Sequence, residues 1–219
     1  LQGSWPQFGF IGEEMEYEDQ VAEAVNASPG YWVLDPLDGT TNFASGFLFY
    51  GVSLALVVDG DPVLGIVYDP VRGECFSAAR DQGAWLNGER LHCPEATSLG
   101  SCIANIDYKR LVGDLASQLV RCPPYRSQRN LGSSVLEWCW LATGRIQLYH
   151  HGGQKHWDFA AGYLILHEAG GAATSLSGLP LECSLLRKRS VVAAVNEPLL
   201  RKWVAWIDAN SEISQSTPY

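Results

Sequence analysis

The stretch GYWVLDPLDGTTNF, Gly30 to Phe43, constrains the fold more than any other part of the chain. Tyr31, Trp32, Val33 and Leu34 make the short apolar run of a buried strand. Pro36 has no N–H to offer a neighbouring strand, so the pattern predicts a strand that stops at Asp35. Beyond it, Gly-Thr-Thr-Asn leaves backbone amides free, and free amides at such a turn bind anions. Two aspartates beside an anion nest would repel that anion unless a cation stood between them. The stretch therefore predicts carboxylate, metal and phosphate in one place.

Downstream, Phe49–Val58, Val63–Asp69, Glu74–Ala79 and Ala84–Leu91 are apolar or alternating runs. Asp59-Gly60, Arg72-Gly73 and Asn87-Gly88 punctuate them, which predicts an antiparallel meander. From about Thr97 helices alternate with strands: helix Leu111–Arg121, strand Ile146–His150, helix Phe159–Glu168 and strand Ser190–Val195. The expected fold class is α/β, layered, with subdomains of about residues 1–96 and 97–209 inside a single domain. A polar stretch, 210–219, reads as a disordered tail.

At 219 residues and 47% hydrophobic, the chain can bury a substantial core. A net charge of −9 disfavours nonspecific nucleic-acid binding, which needs Lys and Arg against phosphates. The six cysteines, Cys75, Cys93, Cys102, Cys122, Cys139 and Cys183, show no CxxC spacing and read as reduced core residues of a cytoplasmic protein. No apolar run approaches the roughly 18 residues of a membrane span.

Three further segments supply parts of a metal site. FIGEE, Phe10 to Glu14, delivers two glutamates after an apolar pair; alone it also reads as a solvated acidic loop. In RNLGSSVLEWCWLATG, Arg129 to Gly144, Ser134 and Glu137 have capping-box spacing. In KHWDFAAGYLILHEAGG, Lys155 to Gly171, Asp158 stands where a helix begins, and most simply it is an N-cap. An aspartate there can also aim its carboxylate at a metal. His156 and His167 are weaker metal candidates beside it.

Together, DPLDGTTNF, WDFAAGYLILHEAGG and FIGEE resemble the signature motifs of the inositol monophosphatase family, magnesium-dependent and lithium-sensitive sugar phosphatases. The resemblance runs from about Phe10 to the strand at Ser190 and implies an αβαβα sandwich, the meander followed by a smaller α/β subdomain. It implies a first metal on Glu13, Asp35 and the Leu37 carbonyl, a second on Asp35, Asp38 and Asp158, and a weaker third near Glu13. The ions would be Mg²⁺, with Mn²⁺ as a substitute, and the all-oxygen ligand set independently favours such hard cations. In the implied reaction Glu13 and the Thr40 hydroxyl position a metal-activated water for in-line attack, with Asp35 bridging the ions. The amides of Gly39 and Thr40 receive the phosphate. Asp38, Gly132, Ser133, Ser134, His151 and Asp158 lie around the substrate, a small phosphorylated metabolite. The implied protein is a cytoplasmic homodimer with no membrane or direct nucleic-acid partner.

The chain also departs from that pattern. It has almost none of the helical segment that usually precedes the glutamate motif, so an N-terminal part, with a water-holding lysine, is expected to be missing. His151 stands where inositol-preferring members commonly carry a glutamate. Its protonated form, with Lys109 and Arg110 of IDYKRL nearby, would favour a more anionic substrate such as fructose 1,6-bisphosphate or adenosine 3′,5′-bisphosphate. Histidinol phosphate is another candidate. A regulatory or scaffold protein that retains the fold, and a metal-dependent binding module without turnover, stay open as well.

Overall fold

Seven strands follow one another across a single sheet in chain order. They are β1 (Gly9–Gly12), β2 (Gly30–Asp38), β3 (Gly51–Val58), β4 (Asp61–Asp69), β5 (Glu74–Ala79), β6 (Gly83–Leu86) and β7 (Glu89–Leu91). The protein's structure, a computed structural model, describes residues 1, 3–26, 29–111, 113–183 and 187–211. Helix α1 (Tyr17–Asn26) joins β1 to β2, which pair in parallel, and the short helix α2 (Thr40–Ser45) joins β2 to β3. Every later pairing in this sheet is antiparallel. Asp59-Gly60 and Asn87-Gly88 have positive φ at both positions, the backbone that two-residue hairpins require. Burial along β3 alternates as the meander predicts: Gly51, Ser53, Ala55 and Val57 are buried, while Val52, Leu54, Leu56 and Val58 are half-buried on the other face.

A second, mixed sheet follows, built from β8 (Ile103–Asp107), β9 (Ser127–Arg129), β10 (Leu148–Gln154), β11 (Ala172–Thr174) and β12 (Arg189–Ala194), in the order β11-β12-β10-β8-β9. Four helices accompany it: α3 (Leu115–Arg121), α4 (Ser134–Ala142), α5 (His156–Glu168) and α6 (Glu197–Asn210). Helices α4 and α5 pack on each other between the sheets; α5 lies against β2 through β6, and α4 touches β3, β4 and β10. Helix α6 covers β11 and β12 beside α3. The fold is an α/β layered one.

The position of α5 explains its composition. Phe159, Ala160, Ala161, Leu164, Ile165 and Leu166 are all buried, so the helix is apolar around its circumference as a helix enclosed on both sides must be. Glu168 at its exit accepts the amides of Asp81 and Gly83 at 2.8 and 2.7 Å, tying it to the β5–β6 turn.

Several boundaries differ from the sequence reading. Strand β2 does not stop at Asp35 but continues to Asp38. Helix α5 starts three residues before Phe159, because Lys155 rather than Asp158 is its cap. Residues 108–110 form a separate 3-10 turn, so α3 begins at Leu115 and not at Leu111. Strand β10 is shifted from 146–150 to 148–154, and β12 runs from Arg189 to Ala194. Asn210 closes α6 instead of opening a tail, and 212–219 lie outside the described residues. Cys102, Cys139 and Cys183 are buried as free thiols, but Cys122 is exposed just after α3.

The contact between α4 and α5 turns on Gly162. A Cβ there would stand 2.3 Å from the Cβ of Trp138, whose side chain is fully buried and bonded through Nε1 to Gln154 Oε1 at 3.1 Å. The two helices would have to separate. Gly162→Ala is expected to lower unfolding free energy by about 1–3 kcal/mol, the usual cost of overpacking. Urea denaturation at unchanged m-value measures it, and an unmoved midpoint contradicts this account of the contact.

Candidate active site

In an unbroken strand, residues three apart face opposite sides, so Asp35 and Asp38 ought to diverge. Strand β2 pairs Asp35 with Ser53 but Asp38 with Gly51. Three steps on β2 therefore match two on β3, which is a bulge of one extra residue. A bulge bends its strand and releases a position from the ladder, which is where proline can sit. Asp35 fixes the bend by accepting the Leu37 amide on Oδ1 at 3.0 Å. Asp158, the third residue of α5, approaches from the other side while its Oδ2 accepts the Lys155 amide at 2.8 Å. Asp35, Asp38 and Asp158 each offer a carboxylate oxygen, all within 4.8 Å of one another.

Asp38 does a second job. Its Oδ2 accepts the Ser133 hydroxyl at 2.7 Å and the Val135 amide at 2.9 Å, and so closes the start of α4 from 97 residues away. The capping box expected from Ser134 and Glu137 does not form, because Ser133 is the N-cap residue and makes no side-chain cap of its own. Glu137 turns inward instead. One oxygen accepts the amides of Leu131 and Gly132 at 3.1 and 2.9 Å, and the other accepts the Tyr149 hydroxyl at 2.9 Å. Asn42 completes the seam by donating Nδ2 to the carbonyls of Phe49 and Leu131 at 2.7 and 2.8 Å. Gly39 is required between them: its φ is 85°, and a Cβ would lie 3.0 Å from the Phe49 carbonyl and 3.2 Å from Ser133 Cβ.

Crowding sets the electrostatics. Burial, with Asp38 and Glu13 nearby, pushes Asp35 up to about 9. Burial followed by the charge of Asp38 takes Asp158 to about 7. Asp38 is raised by burial as well, although the Ser133 hydroxyl and Val135 amide pull the other way. Such a group either takes up protons or gathers around positive charge. Carboxylate oxygens alone, in this number and proximity, are the donor set of a hard divalent cation, and the residues fit one.

These carboxylates adjoin a cavity of about 760 Å³. Of the residues expected from the sequence, Glu13, Asp38, Gly39 and Thr40 line it from the first sheet, and Gly132, Ser134, His151 and Asp158 from the other side. Glu13 lies outside the tight group of three. Asp35 is 1% exposed and backs the wall rather than lining it. Leu37 is not on the wall, and Ser133, fully buried, spends its hydroxyl on Asp38 instead of facing a ligand. His156 bonds through Nε2 to the Cys183 carbonyl, and His167 is exposed and stacked on Tyr163, so neither joins the carboxylates.

His151 is not the cation expected of it. Its Nδ1 accepts the Gly153 amide at 3.1 Å, which leaves the proton on Nε2, 3.3 Å from Asp107 Oδ2. Burial holds its pKa well below the usual range in spite of Asp107, so the ring is neutral. Asp107, Glu137, Lys155 and Lys188 also line the cavity and escaped sequence reasoning. An acidic residue closing the strand-like stretch Ile103–Ile106 was the available signal for Asp107; Lys188 offered none.

The sequence model of the Inositol monophosphatase family matches residues 1–209. The chain is 36% identical over 208 residues to an inositol monophosphatase of Mesembryanthemum crystallinum, covering 92% of this chain and 74% of that one. It is 36% identical over 192 residues to the Nus factor SuhB of Escherichia coli K12, covering 81% and 67%. Among solved structures, inositol monophosphatase-II from Staphylococcus aureus MSSA476 superposes with a TM-score of 0.82 at 27% identity, over 98% of this chain and 78% of that one. The chain thus spans from 64% to 74% of the length of such curated relatives.

The raised carboxylates make stability depend on pH. As pH falls from about 9 to about 7 the folded, metal-free protein takes up a proton first on Asp35 and then begins to on Asp158, protons that the unfolded chain, with aspartates at 3.8, does not bind there. Its stability must therefore rise as pH falls through that window. Below 6.5 the buried neutral His150 and His156 act in the opposite sense. Melting in chelator is expected at a higher temperature at pH 7 than at pH 9, with a divalent cation shrinking the difference. A melting temperature that is flat or falls from pH 9 to pH 7 contradicts the crowding.

Proposed function

The chain belongs to the inositol monophosphatase family, and from the three carboxylates converging beside its cavity we propose that it is a metal-dependent phosphatase of small phosphomonoesters. The observation that carries this reading is the 4.8 Å grouping of Asp35, Asp38 and Asp158. These residues, with Glu13 and the Leu37 carbonyl at the margin, would hold two or three Mg²⁺, or Mn²⁺ in their place, which would supply Lewis acidity toward phosphoryl oxygens and water.

The chain's own groups then have separate tasks. Glu13 and the Thr40 hydroxyl, together on the cavity wall, orient the attacking water, and the Glu13 carboxylate takes its proton. Gly39 and Thr40, at the turn into α2, offer amides to the equatorial oxygens as charge spreads over them in line with attack. Asp158 and Asp38 hold fixed positions through the Lys155 amide and the start of α4. Gly132 and Ser134 face the leaving group's hydroxyls. The relatives named inositol monophosphatase support inositol 1-phosphate or a related polyol phosphate as substrate.

A second reading has one observation in its favour: the E. coli relative bears the name Nus factor. On that reading the chain works through binding, and phosphate release is incidental or absent.

Phosphate release from inositol 1-phosphate with and without Mg²⁺ separates the two. Asp35→Asn keeps the shape and removes the central charge, so activity is expected to fall by at least ~10²-fold, the scale of a lost catalytic electrostatic contact. Asp158→Asn should raise the Mg²⁺ concentration needed. Normal turnover by Asp35→Asn at limiting Mg²⁺ overturns the assignment. Lithium is expected to inhibit in an uncompetitive or mixed manner; pure competition with substrate counts against a lithium site among these carboxylates.

A further inference from the structure

Asn130, Leu131, Gly132 and Ser134 form one stretch of the cavity wall, in the connection from β9 into α4. Residues 130–133 belong to neither sheet, so side chains hold this connection where no ladder does. Two of them grip it from opposite sides. Asn42, in α2, donates Nδ2 to the Leu131 carbonyl at 2.8 Å while the same nitrogen is anchored on the Phe49 carbonyl at 2.7 Å. Glu137, in α4, accepts the Leu131 and Gly132 amides on one oxygen at 3.1 and 2.9 Å. Gly132 rests directly on the first of these: its φ is 81°, and a Cβ there would stand 3.2 Å from the Asn42 amide group.

Glu137 is itself held. Its second oxygen accepts the Tyr149 hydroxyl at 2.9 Å, the Tyr149 oxygen accepts Gln154 Nε2 at 2.6 Å, and Gln154 Oε1 accepts Trp138 Nε1 at 3.1 Å. Glu137 is 3% exposed and the other three are fully buried. Every donor in this series points toward Glu137, which must therefore accept on both oxygens, as a carboxylate does. The turn is thus referenced to α2 and β3 beside the first sheet through Asn42, and to β10 of the second through Glu137 and Tyr149.

This stretch of wall carries no charged side chain and none of the groups assigned to metal, water or phosphate, so what it contributes is its position. Resting on the phosphatase reading, we propose that Asn42 and Glu137 are positioning residues for the leaving group: clamping the Leu131–Gly132 turn from both sides, they fix the wall against which a polyol's hydroxyls are read. Selectivity for a polyol phosphate over an ester whose leaving group bears no hydroxyl depends on that clamp.

The test compares inositol 1-phosphate with p-nitrophenyl phosphate in the full chain with saturating Mg²⁺, at about pH 8, where Glu137, raised to about 7, is ionised. In Glu137→Leu the ratio of kcat/KM for inositol 1-phosphate to that for p-nitrophenyl phosphate is expected to fall about tenfold or more, with the loss in KM for inositol 1-phosphate rather than in kcat. Glu137→Gln keeps an oxygen for the two amides and is expected to restore most of that ratio. Asn42→Ala trims a half-buried side chain, releases the turn from its other side, and carries the same comparison if Glu137→Leu loses its cooperative melt. Equal losses toward both esters, an unmoved ratio, or Glu137→Gln as poor as Glu137→Leu overturn the clamp and leave the phosphatase reading standing. If the parent hydrolyses neither ester, the phosphatase reading fails. Calorimetric binding of inositol 1-phosphate to parent and Asn42→Ala then decides the clamp, and equal affinities overturn it.

Discussion

Three carboxylates held within 4.8 Å of one another, one buried and two half-buried at the cavity wall, are the condition that the rest of the molecule is arranged to sustain. Unbalanced, they repel and draw protons at pH values where an aspartate is ordinarily charged. Their positions are nonetheless fixed before any cation arrives. Asp35 is pinned by the Leu37 amide, Asp38 by two donors at the start of α4, and Asp158 by the Lys155 amide. A site assembled in advance loses less freedom on binding, which is how repulsion in the folded chain is exchanged for affinity.

Two of these bonds, those to Asp38, also join the two halves of the molecule. Strands divide cleanly between the sheets at about residues 91–103, but the helices do not respect that division. Helix α5 belongs to the second half by sequence and to the first sheet by packing, and α4 begins on a carboxylate from β2. Glu137, fully enclosed and raised to about 7 by burial, holds the Leu131–Gly132 turn against Tyr149. A cavity wall composed from both sheets is the result.

Legibility in the sequence followed the range of the forces. The meander could be read because its cause is local: alternating residues, and Asp-Gly and Asn-Gly pairs that accept positive φ. The motif carboxylates could be read because two of them share one short stretch and the third follows a tryptophan at a helix start. Non-local partners were invisible. Ser134 and Glu137 have the spacing of a capping box, yet Asp38 takes over the cap and Glu137 turns to a loop and a strand. His151 has an ordinary sequence setting, and only its burial in the fold, with the Gly153 amide on Nδ1, keeps it neutral in spite of Asp107. Pro36 marked an interruption correctly, but whether the strand stops or bulges is decided by β3.

That bulge exists only in the count of β2 against its neighbour, and this has a consequence for what lengths the chain can tolerate. Exposed turns usually accept an added or lost residue, and Pro36 is exposed. Here an added residue would rotate Asp38 to the outer face of the sheet. A lost one would straighten the strand and draw Gly39 and Asn42 away from the partners they meet at Phe49 and Leu131. Two residues at the surface are thus as fixed in number as any in the core, although neither makes a contact that composition or hydrophobicity would single out.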